Sequence, residues 1–237
     1  MKTVTWFSAG VSSAVATKLA IDDIDEIIYI HIEDQHEDTM RFVKDCEEWF
    51  GKPITILQSP HKCIDNVVNS KGWINGPYGA ACSRVLKKLV RVEWEYNLPL
   101  DEKVTYIWGM DLAETKRADR LVDTMTKFKH RFPLIEKRLS KAHAHEILKA
   151  SGIKRPKMYE LGYHNNNCVG CVKGGMGYWN KIRIDFPKVF KSRCELERKI
   201  GASCINGVYL DELDTDRGRH NAPIVDDCGI FCELEAL

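Results

Sequence analysis

The chain has 237 residues with 35 Lys plus Arg against 34 Asp plus Glu. That balance gives no general case for a polyanionic or membrane partner and leaves only local basic patches such as "RVLKKLVR" and "KIRIDFPKVFKSR". At 44% hydrophobic and 29% charged residues the composition suits a folded domain with a sizeable core and excludes long disorder. "TVTWF" (3–7) predicts a short buried strand that ends at Ser8-Ala9-Gly10, and "VSSAVATKLAI" a helix after it. "DEIIYIHI" (25–32) predicts a second strand, "DTMRFVKDCEEWFG" an amphipathic helix stopped by Gly51, and "PITIL" (53–57) a third strand. "SRVLKKLVRVEWEY" (83–96) has helical period, and "KVTYIWG" (103–109) makes a fourth strand.

Nearly continuous apolar strands alternating with helices predict an α/β fold, a doubly wound parallel sheet covered on both faces. Ligands of such sheets sit beyond the carboxyl ends of the strands, so the turns after residues 7, 32 and 109 are expected to line one cleft. After about residue 130 the pattern changes. "SKAHAHEILKASGI" predicts a helix with Ser140 as N-cap and Gly152 as stop. The remainder is richer in Gly, Asn, Cys and Arg. The expected organisation is an α/β domain over 1–130 carrying the cleft and a cysteine-rich C-terminal region over 131–237 closing over it.

No stretch approaches ~18 uninterrupted apolar residues, and the N-terminus lacks a signal-peptide pattern. The expectation is a cytoplasmic protein with no membrane partner, where thiols stay reduced. Nine cysteines then point to metal or redox chemistry more than to disulfides.

"FSAGVSSAV" places Ser8, Ala9, Gly10, Ser12 and Ser13 between a strand and a helix. Small residues let the backbone approach an anion, and the helix N-terminus offers N–H groups and partial positive charge. The segment is neither a Walker loop nor GxGxxG. An ordinary helix cap and a phosphate cradle are both compatible with it when it stands alone.

With the loop at 8–13, "ACSRVLKK" (81–88), "GMDLAETKRADR" (109–120), "CVGC" (168–171) and a C-terminal Cys-Gly, the chain resembles the PP-loop adenine-nucleotide superfamily. Within it, the phosphoadenosine phosphosulfate (PAPS) reductase family is the most similar. The resemblance implies binding of an adenine nucleotide or sulfonucleotide by Ser8, Ala9, Gly10, Ser12, Ser13, Glu33, Gly109 and Arg117. Its loop reads Ser-Gly-Gly-x-Asp-Ser. Here Ala9 replaces the first glycine and Ser12 the aspartate that helps ATP-cleaving members manage magnesium and pyrophosphate. That departure favours sulfonucleotide reduction over adenylation.

"HNNNCVGCVKGG" (164–175) leaves four readings open on its own: half a zinc site, half an iron–sulfur site, a redox dithiol or a disulfide. Iron–sulfur members of the resembled family take ligands from a Cys-Cys pair and from a later Cys-x-x-Cys. Cys82, Cys168 and Cys171 match three of these positions, while Ala81 stands at the fourth. The implied cofactor is a [4Fe–4S] cluster, with zinc as the alternative because four thiolates suit both. Candidates for a fourth ligand are Cys194, Cys204, Cys228 and Cys232.

The tail "DDCGIFCEL" resembles the family's Glu-Cys-Gly-Leu/Ile-His, with Phe231 in place of His. It implies Cys228 as nucleophile, with Cys232 or a thioredoxin-like donor as the resolving thiol. A multiply anionic substrate also needs fixed cations, for which Arg84, Lys88, Arg120 and Lys173 are candidates. Tyr178 and Trp179 beside Lys181 and Arg183 offer either a base-stacking surface for nucleic acid or core packing. The alternatives are an ATP-dependent adenylating or sulfur-transfer enzyme acting on RNA or a metabolite, and a zinc-stabilised non-enzymatic nucleotide-binding module. A homo-oligomer is compatible with either.

Overall fold

Strand β1 (Lys2–Trp6) is followed by helix α1 (Val11–Leu19), β2 (Glu26–His31), α2 (Asp38–Phe50) and β3 (Ile54–Gln58). The computed structural model describes residues 1–76 and 79–219. Helix α3 (Ile64–Lys71) leads to a minimal antiparallel pair, β4 (Asn75–Gly76) and β5 (Gly79–Ala80). One helical run then passes through α4 (Ala81–Ser83), a π-turn (Arg84–Lys88) and α5 (Leu89–Tyr96). Next come β6 (Val104–Ile107), α6 (Thr115–Thr124), β7 (Lys129–Arg131), α7 (Pro133–Glu136) and α8 (Lys141–Ala150). The described chain closes with α9 (Lys157–Glu160), α10 (Met176–Asp185) and α11 (Pro187–Ile200).

The strands β3-β2-β1-β6-β7 form one sheet, every pair parallel. Side chains alternate across it with period two. Val4, Trp6, Ile28, Ile30 and Tyr106 meet Val90 of α5 and Leu121 of α6 on one face. Phe7, Ile27, Tyr29 and Ile107 meet α1, α2 and α8 on the other. Both faces are therefore covered, and the doubly wound parallel sheet expected from the sequence is present. The strand order reverses between β1 and β6, so the turn after β1 opens into the crevice where such sheets place ligands.

Local signals fixed several ends as expected. Ser140 caps α8 by accepting from the His143 N–H at 3.3 Å, and the His143 ring returns the contact to the Ser140 N–H, the reciprocal arrangement of a capping box. Gly51 and Gly152 stop their helices at φ +68° and +79°, a conformation that glycine adopts without Cβ strain.

Three features differ from the sequence reading. The sheet has a fifth strand, β7, whose Lys-His-Arg sequence carries no apolar pattern. Strand β3 is not buried on both faces, because it is the sheet edge and leaves Ile56 half exposed. The helix expected at 83–96 carries the π-turn, a wider turn that is frequent at functional sites.

A third cluster lies beyond the sheet. Val67, Ile74, Cys82, Leu86, Cys168, Trp179, Ile182 and Leu196 form it, so α3 and α4 share a core with the segment after residue 157. Among the described residues, no helix is long and apolar enough to cross a membrane.

Candidate functional site

The loop after β1 is set by short contacts within itself. The Ser8 N–H donates to the Ser13 hydroxyl at 3.1 Å, closing the loop. Ser13 is buried, whereas Ser8 is exposed and Ser12 half-buried. Of the three serines, Ser13 therefore serves the loop's own structure, and Ser8 and Ser12 face outward. Gly10 is the N-cap of α1 and has no side chain to cap the first turn. The Val11 N–H is taken by the Tyr159 hydroxyl at 3.3 Å, and the turn's other N–H groups have no side-chain cap, the arrangement that suits an anion.

Gly109 ends β6 against this same turn. A Cβ built there would lie 2.5 Å from Ser13 Cα and 2.8 Å from Ser13 N, so only glycine lets β6 and α1 come this close. The turns after residues 7 and 109 thus meet, as expected of a common cleft. Ala9, fully buried, holds φ +57°. This left-handed conformation costs a residue with a Cβ about 1 kcal/mol, and it explains in backbone terms why a glycine suits the position.

The Cys168–Cys171 loop is built differently. Gly170 turns it at φ +71°. The Tyr178 hydroxyl accepts from the Cys171 N–H at 2.9 Å and donates to the Cys168 carbonyl at 3.2 Å. One side chain from α10 thereby clasps both ends of the Cys-x-x-Cys turn. Its ring lies on Gly174, where a Cβ would come within 2.0 Å of it. Burial, and after it the Cys171 thiol, push the Tyr178 phenol well above its ordinary range, so the hydroxyl stays protonated and able to donate.

Arg193 of α11 fixes the loop from the other side. Its Nε–H donates to the Gly170 carbonyl at 3.3 Å, its Nη2 meets the Asp34 carboxylate at 2.6 Å, and its Nη1 faces Asp65. Asp34 also accepts from the Ile64 N–H at 2.7 Å.

The two loops are joined. The Val169 N–H donates to the Asp34 carbonyl at 2.7 Å, which ties the cysteine loop to the turn after β2. The Asn166 amide donates to the Ala9 carbonyl at 2.9 Å, which ties it to the turn after β1. Cys168 also lies within electrostatic reach of Tyr29: burial, then this thiol, raise the Tyr29 phenol above its usual range, and Lys87 acts in the opposite direction.

The candidate ligands Cys82, Cys168 and Cys171 are all buried, and Cys82 and Cys168 belong to one cluster. Among the described residues no group of three or more His, Cys, Asp or Glu converges in a way that could hold a metal ion. Cys204 is buried against Glu197, and burial followed by that carboxylate pushes its thiol up. Burial, then Asp211, pushes Cys194 up to about 11. Both shifts oppose the thiolate form that a metal ligand needs. Cys228 and Cys232 lie outside the described residues.

The candidate cations are spread out. Arg84 is exposed, while Lys88 and Lys173 are half-buried. Arg117 pairs with Glu114 at 2.8 Å, inside a turn capped by Asp111. Arg120 is exposed on α6, with its Nε–H on the Lys116 carbonyl at 3.4 Å. Glu33 is exposed. Trp179 is fully buried in the core, so Tyr178 and Trp179 form no base-stacking surface. Sequence reasoning did not find the side-chain contacts by which Asn166, Tyr178 and Arg193 hold the two loops. Such contacts run across the fold, and no local pattern records them.

A family model described as the phosphoadenosine phosphosulfate reductase domain matches residues 2–174, well over half of the chain. The chain belongs to the phosphoadenosine phosphosulfate reductase family. The match takes in the loop at 8–13, Gly109 and the Cys168–Cys171 turn, and ends at Gly174. No curated protein matches the chain. Membership makes it a nucleotide-binding enzyme of the PP-loop type, with an adenine nucleotide as the substrate class that the family implies.

Proposed function

We propose that the chain reduces an adenine sulfonucleotide to sulfite by thiol chemistry. The observation that carries the reading is the joining of the two loops: Asn166 on Ala9 and Val169 on Asp34 bring a cysteine turn against a phosphate-cradle turn. In this reading the nucleotide's anionic groups lie on the N-terminus of α1, with Ser8 and Ser12 as hydroxyl donors. Arg117, Arg84, Lys88, Arg120 and Lys173 are the candidate counter-charges.

Cys228 thiolate attacks the sulfur of the sulfonucleotide. The bond from that sulfur to the phosphate oxygen breaks, and the nucleoside phosphate leaves with the electron pair. The resulting Cys228–S-sulfonate is attacked at the cysteine sulfur by a second thiol, from Cys232 or a thioredoxin-like protein. Sulfite leaves and a disulfide remains, so the two thiols supply the two electrons.

Cys82, Cys168 and Cys171 would hold an iron–sulfur cluster; Cys228, as nucleophile, is then not a ligand, and Cys232 would be a further ligand only where a thioredoxin-like protein supplies the resolving thiol. What supports this reading is that all three are buried sulfurs and that Tyr178 shapes the turn carrying two of them; against it, they do not converge as a ligand group among the described residues. When bound, such a cluster supplies an anionic, polarisable centre next to the phosphate loop.

The test is incubation with PAPS, adenylyl sulfate or ATP plus magnesium, with a dithiol donor. Sulfite from either sulfonucleotide is the expected result. Pyrophosphate released from ATP without sulfite would replace reduction with adenylation, and neither product would favour a non-catalytic nucleotide-binding module.

A further inference from the structure

We propose that Asn166 is a positioning residue for the nucleotide loop, holding Ala9 in the left-handed conformation that aims the Gly10 N–H at the bound anion. This rests on the nucleotide reading above and assigns a residue outside the loop to that site.

Ala9 sits at φ +57° although it carries a Cβ. Without a restraint, a residue of this type returns to negative φ. A restraint is supplied by Asn166, itself 5% exposed, whose Nδ2–H donates to the Ala9 carbonyl at 2.9 Å. Its orientation is set in turn by the buried Thr39 of α2: the Thr39 hydroxyl donates to Asn166 Oδ1 at 3.4 Å, and Nδ2 lies 3.2 Å from the same hydroxyl.

A trans peptide is planar, with its C=O and N–H pointing in opposite directions. Fixing the Ala9 carbonyl toward Asn166 therefore fixes the Gly10 N–H on the opposite side of the peptide plane. On the inner side the Val11 N–H is taken by the Tyr159 hydroxyl at 3.3 Å, so this first helical N–H is held within the protein. The loop thus owes its donor geometry to a segment more than 150 residues later in the chain, two positions before Cys168.

The experiment is a double-mutant cycle over Ala9→Gly and Asn166→Ala, read by calorimetric affinity for ATP and for PAPS and by hydrogen exchange of residues 8–12 without nucleotide. Glycine keeps the left-handed conformation unaided. Asn166→Ala alone is expected to weaken the tighter-binding nucleotide about tenfold, equivalent to about 1.4 kcal/mol, and to speed exchange at Gly10. In the Ala9→Gly background both effects are expected to shrink to about threefold or less.

Equal losses in both backgrounds, or a loss that merely follows the fall in Tm, would overturn the proposal. If the wild-type protein binds neither nucleotide, the functional reading fails. The ligand-free exchange cycle still decides the positioning role: unchanged exchange in Asn166→Ala would sink it. Should Asn166→Ala not accumulate as folded protein, Thr39→Val removes the hydroxyl that orients the amide, and the same cycle and outcomes apply.

Discussion

The loop after β1 and the cysteine loop are joined through Asn166 but are held by different means. The first, at residues 8–13, hangs between β1 and α1 and is braced by the end of β6, so its place follows from the sheet. The second, at residues 168–171, has no strand beneath it. It is positioned by the Tyr178 hydroxyl, the Arg193 guanidinium and the Asp34 carbonyl. The lesson is that a loop seated on the sheet is most sensitive to an added Cβ at its packing contact, whereas a loop hung on side chains fails one hydrogen bond at a time.

The largest expected effect falls on the side-chain-built loop. Arg193→Ala would strip the charge partner from the nearly buried Asp34 and release the Gly170 carbonyl, and breaking a buried pair from one side costs about 3–5 kcal/mol. Urea unfolding would measure it. A loss under 1 kcal/mol would mean that the loop is held elsewhere.

Gly109→Ala tests the backbone-built loop. The added methyl would strike the Ser13 backbone, and overpacking of this kind costs about 1–3 kcal/mol. Calorimetry is expected to show nucleotide affinity lost beyond what stability explains, because the displaced atoms belong to the loop itself.

Tyr178→Phe is milder. It leaves the Cys171 N–H and Cys168 carbonyl without their shared partner, at about 1–2 kcal/mol. Nucleotide affinity is expected to stay within about twofold while thiol reactivity at Cys168 and Cys171 rises, as alkylation followed by mass spectrometry would report. If affinity fell as far as reactivity rose, the two loops would not be separable.

The smallest effect is a pH dependence that touches both ends of the sheet. His145, edge-on to Tyr159 at 5.0 Å near the phosphate loop, is lowered by burial and then by Lys141 and Arg155. His130 of β7 is lowered mainly by burial. It accepts from the Trp108 indole N–H at 2.9 Å and lies 2.9 Å from the Met125 carbonyl. Both imidazoles have folded pKa values below the ordinary 6.5, so the unfolded chain takes up protons first as pH drops. Their contribution is complete above that value and is lost as pH falls below it. Tm is expected to decline from pH 7 toward pH 5, and His130→Asn to flatten the decline. An unchanged slope would assign the titration elsewhere.

The comparison also explains what was legible in the sequence. Nearly continuous apolar strands, the Gly51 stop and the Ser140 cap depend on neighbours in the chain, and they were readable. The small residues at 8–13 announced a close backbone approach for the same reason. Strand β7 was not readable, since three polar residues completing a sheet edge have no pattern of their own. The π-turn at Arg84–Lys88 was equally silent. Cys168 and Cys171 were found by their spacing, but the residues that hold them were not. Tyr178 read as core packing or a stacking surface and Arg193 as part of a basic run, because a hydrogen bond between distant segments leaves no periodic trace.

The central proposal is that the buried thiols Cys82, Cys168 and Cys171 serve as iron–sulfur ligands. The most direct test is iron, sulfide and zinc analysis of protein purified under anaerobic conditions, with its absorbance spectrum. The account predicts a brown protein with about four irons per chain and broad absorbance near ~400 nm, bleached in both Cys168→Ala and Cys82→Ala. A colourless protein holding one zinc per chain, or one that takes up no metal after anaerobic reconstitution, would contradict it.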